Sequence, residues 1–107
     1  MAFINVGIYS VPQEKKEKFL ALSKKISNHL KDSPLLSKAI KSRRLFTRCM
    51  GGPYGQFIDV WEFRSWTDYD AYLRSYEEDA KWAGFWKEFM LLVDQTSHEW
   101  INLDEVP

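Results

Sequence analysis

The chain has 107 residues, enough for one hydrophobic core and not for two, so residues 1–107 read as a single domain. With 45% hydrophobic and 28% charged residues it has the make-up of a folded globular protein, and 15 basic side chains balance 15 acidic ones. A zero net charge argues against a nucleic-acid partner, because meeting phosphates takes a basic surplus.

The opening MAFINVGIYSV has no basic segment followed by a long apolar run, so no signal peptide is expected. No apolar stretch approaches the roughly 20 residues of a membrane span, and a cytoplasmic protein is the expectation. Within that opening, FINVGIYSV (3–11) has strand length and β-branched content. A two-residue period puts Ile4, Val6 and Ile8 on one face and Phe3, Asn5, Gly7 and Tyr9 on the other. Ser10 or Pro12 then opens a helix from Glu14 to about Lys31, with Phe19, Leu22, Ile26 and Leu30 as its apolar stripe. His29 falls on its lysine-rich surface and is expected to do nothing special.

Asp-Ser-Pro at 32–34 breaks this helix, because the residue before a proline disfavours helical geometry. Residues 35–42 add a short helical turn, and RRLFTRCM (43–50) is polar enough for an edge strand. The local basic cluster Lys38, Lys41, Arg43, Arg44 and Arg48 reads as a solvated face or sheet edge. Cys49 is the one cysteine, which leaves no disulfide and no cysteine metal cluster; in strand surroundings it is expected as a small buried hydrophobe. GGPYG (51–55) is a hairpin loop.

The third strand, YGQFIDVWEFRSW (54–66), alternates Phe57, Asp59, Trp61 and Phe63 against Ile58, Val60 and Glu62. Thr67 is the expected cap of a second helix, with Asp68 and Asp70 in its first turn where the helix dipole favours negative charge. Tyr69, Tyr72, Leu73 and Tyr76 make one stripe. A break is expected near Glu78–Ala80, and Trp82, Phe85, Trp86, Phe89 and Val93 make the next stripe. TSHEWINL (96–103) alternates as a fourth strand carrying His98.

The order β-α-β-β-α-β predicts an α+β ferredoxin-like sandwich, a four-stranded antiparallel sheet with helices on one face. Both faces of strands one and three are apolar, whereas a sheet with one wet face should be polar there. A second copy packed face to face is the economical cover, since leaving five Ile and Val side chains wet would forfeit about 1.5–3 kcal/mol each.

The segment VWEFRSWTDYDAYLRSYEEDAKWAGFW (60–86) resembles the dimeric α+β barrel superfamily, NIPSNAP-like proteins above all and antibiotic-biosynthesis-type monooxygenases more distantly. That resemblance implies a hydrophobic ligand held between sheet and helices. Its walls would be Trp61, Tyr72, Trp82 and Trp86, with Tyr69 beside them, and Asn5 would orient the ligand; large rings around a few polar groups make up a typical small-molecule pocket. Plain core packing is the other reading of the same rings. If the chain is an enzyme, the implied activity is a cofactor-independent monooxygenase acting on an aromatic substrate. Asp59 would then be the base, a carboxylate whose pKa burial would raise, with His98 as a second base or orienter. The alternative for Asp59 is a pairing with a neighbour such as Asn5 or an arginine, or a place where the sheet meets solvent. Haem-degrading relatives carry a tryptophan on the second helix and, about ten residues on, an iron-ligating histidine. This chain has Tyr72 at the first position and no histidine at the second, so neither cofactor nor metal is expected.

Overall fold

The computed structural model of the protein describes residues 3–48, 50 and 55–106. Cys49 and most of the GGPYG hairpin therefore lie outside the described residues. Four strands, β1 (Phe3–Ser10), β2 (Ser42–Thr47), β3 (Gln56–Phe63) and β4 (Glu99–Asp104), form one antiparallel sheet in the order β2-β3-β1-β4. Four helices accompany it: α1 (Lys16–Asp32), α2 (Pro34–Ala39), α3 (Trp66–Glu78) and α4 (Ala80–Leu92). This is the ferredoxin-like α+β architecture expected from the element order. No helix among the described residues is long and apolar enough to cross a membrane.

Local chemistry sets the helix ends. Ser33 accepts from the Leu36 amide and Pro34 occupies the first turn of α2, where its missing N–H costs nothing. α3 starts one residue before the expected cap. Ser65, not Thr67, takes the Asp68 amide on its hydroxyl at 3.1 Å. The break expected near Glu78–Ala80 falls on Asp79, which ends α3 and caps α4 by accepting from the Trp82 amide at 3.0 Å. At the C-terminal end, a 3-10 turn over Gln95–Ser97 displaces the start of β4, so His98 precedes the strand instead of lying in it.

The helices cover the aromatic face. Phe3, Tyr9, Phe57, Trp61 and Phe63 pack with Phe19, Leu22 and Ile26 of α1 and Tyr72, Trp82, Phe89 and Leu92 of α3 and α4 in one buried cluster. Val6 is buried but stands outside that cluster, on the opposite face. Around it lie the half-buried Ile4, Ile8, Ile58, Val60 and Ile101 and the exposed Phe46 and Leu103.

Candidate functional site

Asp59 stands at the centre of β3, and the register places Gly7 on one side of it and Leu45 on the other. Arg43 of β2 reaches it from the edge of the sheet. Arg43 Nε donates to Oδ1 and Nη2 to Oδ2, both at 3.0 Å, a bidentate pair. Tyr9 Oη donates to Oδ2 at 2.8 Å. Neither side chain of the ion pair meets water to any extent, with 4% of Arg43 and 0% of Asp59 exposed. The guanidinium also sits over the Trp61 ring at 5.1 Å, and Nη1 donates to the hydroxyls of Ser23 and Ser27 on α1. Burial, with the Asp59 charge beside it, pushes the Tyr9 phenol far above its usual value, so Tyr9 stays protonated. Of the two partners expected for Asp59, the arginine is the one observed. Asn5 is turned elsewhere, donating from Nδ2 to Asn102 Oδ1 at 2.8 Å. The basic cluster is likewise divided. Arg43 goes inward, Lys41 pairs with Glu62 at 3.2 Å, and Arg44 lies over the ring of Phe46.

A cavity lies next to this network, lined by residues of α3, α4, β1 and β4; its Trp100 stands opposite Gly7, the β1 residue that also pairs with Asp59. The cavity measures about 240 Å³ and is walled by Tyr69, Tyr72, Tyr76, Trp86, Phe89 and Trp100, with Asn5 and His98 as polar members. Leu73 and Met90, 45% and 42% exposed, form its apolar lip. At about 30 Å³ per water in the liquid, the volume corresponds to some eight waters, room for a ligand of one or two rings. Among the expected site residues the fold thus gathers Asn5, Tyr72, Trp86 and His98 in one place. Asp59, Trp61 and Trp82 do not line this cavity. Trp61 and Trp82 are buried with their rings 6.2 Å apart at 76°, and they fill the core beneath α4.

The cavity's polar groups are few and mostly neutral. Tyr72 and Tyr76 share a hydroxyl–hydroxyl bond of 2.7 Å. Burial raises both phenols, Tyr72 well above the usual value and Tyr76 to about 12, where the Tyr72 bond works against the rise. Both are therefore O–H groups at neutral pH. The Trp86 Nε1 is buried without a partner among the described residues, as are those of Trp61 and Trp82. Trp100 lies flat over Gly7 of the neighbouring strand. A Cβ at Gly7 would come within 2.4 Å of two Trp100 ring carbons, so only glycine gives the indole this seat. Trp100 Nε1 in turn donates to His98 Nε2.

Sequence reasoning missed Trp100 and Met90 as site residues and took Leu73, Tyr76 and Phe89 only as helix stripe. One signal was readable: a glycine in the middle of a strand marks close approach by a bulky neighbour. The two lip residues give a weaker one, as large apolar side chains on helix positions that face outward.

No protein-family model and no curated protein sequence matches the chain. Solved structures do. A NIPSNAP family protein from Agrobacterium tumefaciens is 22% identical, with a TM-score of 0.74 over 99% of this chain and 94% of that one. The cofactor-independent oxygenase SnoaB from Streptomyces nogalater is 12% identical, with a TM-score of 0.70 over 97% and 92%. A putative antibiotic biosynthesis monooxygenase from Nitrosomonas europaea is 9% identical, with a TM-score of 0.73 over 98% and 90%. The chain shares their fold. At these identities the likeness is one of architecture, and the chemistry has to be argued from the cavity itself.

Proposed function

We propose that the protein is a NIPSNAP-like α+β barrel that binds a small hydrophobic, aromatic ligand in the cavity between α3, α4 and the sheet. The observation that carries this reading is the 240 Å³ space, walled by six aromatic rings and opening between two exposed apolar side chains. A well-formed apolar pocket with a few convergent polar groups is the usual form of a small-molecule site. The test is a thermal-shift screen with two-ring aromatic compounds on the parent and on Leu73→Trp, which plugs the mouth from an exposed position. A ligand at 100 times its Kd stabilises a protein by about 2.7 kcal/mol. Parent stabilised and Leu73→Trp unmoved is the expected result; equal response of the two chains, or none from either, counts against the site.

The cofactor-independent monooxygenase reading draws on the fold shared with SnoaB. It needs a base within reach of the substrate. No carboxylate lines the cavity, Asp59 is engaged by Arg43 and Tyr9, and His98 Nε2 already accepts from Trp100. Ligand binding is therefore the better supported of the two.

The second element of the proposal is a homodimer formed through the open sheet face. It rests on the apolar set Ile4, Val6, Ile8, Ile58, Val60, Ile101, Phe46 and Leu103, which no helix covers. Sedimentation at micromolar concentration is expected to give twice the 12.7 kDa of the chain; a species of 12.7 kDa would refute it.

A further inference from the structure

An indole N–H can only donate, so the Trp100–His98 bond fixes what His98 can do. Its Nε2 must be the acceptor. In the neutral ring the proton then sits on Nδ1, which has no partner among the described residues. The seat of Trp100 on Gly7 holds this arrangement from the strand side, and the rings of Tyr9 and Phe89 lie 6.4 and 6.1 Å from the imidazole. The one nitrogen lone pair on the cavity wall is thereby occupied.

We propose that His98 serves the cavity as an N–H donor and not as a base, and that the cavity selects a flat aromatic ligand bearing an acceptor oxygen, a carboxylate or a carbonyl. The proposal rests on the ligand-binding reading above and gives it a polarity. Two hydrogens are left for an acceptor there. They are the His98 Nδ1–H and the hydroxyl hydrogen left over when Tyr72 and Tyr76 bond to each other. A buried donor without an acceptor is costly, so a ligand oxygen that meets one gains strongly. No Asp or Glu lines the cavity, so a cationic ligand would find no counter-charge.

Two measurements test this separately. In protein labelled with nitrogen-15 histidine, a long-range proton–nitrogen correlation at about pH 8, where imidazole is ordinarily neutral, reads the tautomer. The expected result is a proton on Nδ1 of His98 in the parent and a mixed tautomer in Trp100→Phe. A proton on Nε2 in the parent would overturn the donor role. Calorimetry then compares 2-naphthoate with 2-(aminomethyl)naphthalene, equal in ring body and opposite in polar group. Naphthoate is expected to bind tighter by about tenfold or more, the ratio that one charge-assisted hydrogen bond supplies. Equal affinities, or a preference for the amine, would overturn the selection for an acceptor. Binding of neither would overturn both that selection and the ligand site, while the tautomer measurement still decides the role of His98.

Discussion

Replacing Asp59 by asparagine removes one charge and almost no volume from the most deeply buried ion pair among the described residues. What remains is a guanidinium 4% exposed, held over the Trp61 ring, with its counter-ion gone. Removing one partner of a buried pair typically costs about 3–5 kcal/mol, because the other charge is left without compensation. A domain of this size has a total stability of about 5–15 kcal/mol, so from a mid-range value the variant loses about a third to a half. With about 4–8 °C of Tm per kcal/mol in domains approaching this length, the expected fall is on the order of 12–40 °C. Equilibrium denaturation followed by tryptophan fluorescence gives the free energy directly. The companion variant Tyr9→Phe/Arg43→Met/Asp59→Leu removes the ion pair and its phenol, and it should recover much of the loss because only neutral oxygens of Ser23 and Ser27 lose a partner. The reasoning is refuted if Asp59→Asn unfolds at the parent's midpoint, or if the triple variant is less stable than Asp59→Asn. An Asp59→Asn chain of full stability that fails to bind the ligand would return Asp59 to the functional role expected from its place among aromatic residues.

Gly7→Ala should drive Trp100 off its seat, since the new methyl would lie 2.4 Å from ring carbons. Overpacking of this kind costs about 1–3 kcal/mol, and the displaced indole should also abolish binding in the cavity; crystallography of the variant checks the indole position. Acid should loosen the junction of α3 and α4. Burial works against the charged form of Asp79, but the bond from His29 at 2.7 Å and the Trp82 and Lys81 amides outweigh it and hold its carboxyl below the usual range. Its stabilising contribution is complete above the unfolded value of about 4 and is lost as pH falls through the lower folded value. Asp79→Asn should therefore flatten the decline of stability on the acid side of about pH 4; an unchanged profile would contradict this.

Much of the fold was legible because two periods are physically rigid. Alternation at two sorted Phe57, Asp59, Trp61 and Phe63 onto one face of β3, and spacing at three and four drew the stripe of α1. Asp79 was foreshadowed as a break, although the sequence does not say that one side chain ends one helix and caps the next. Which face the helices cover was not legible, since both are apolar and periodicity carries no preference between them. The partner of Asp59 was hidden for a different reason. Arg43 meets it through the β2–β3 register, and that register is set by a hairpin whose length the local sequence does not fix. The candidate site was half legible. Asn5, Tyr72, Trp86 and His98 converge, but Trp100 takes its place only through the pairing of β4 with Gly7 of β1, at the other end of the chain. The bond to His98 follows only once β4 is known to start after that residue.

The five indole N–H signals offer the most direct test of a ligand site between helices and sheet. Titrating the labelled protein with 2-naphthoate should move the Trp86 and Trp100 signals most, and the same titration of Leu73→Trp should leave both in place. Movement confined to Trp66, which is exposed and stacked on Phe3 at the end of the sheet, or no movement of Trp86 and Trp100, would contradict the account.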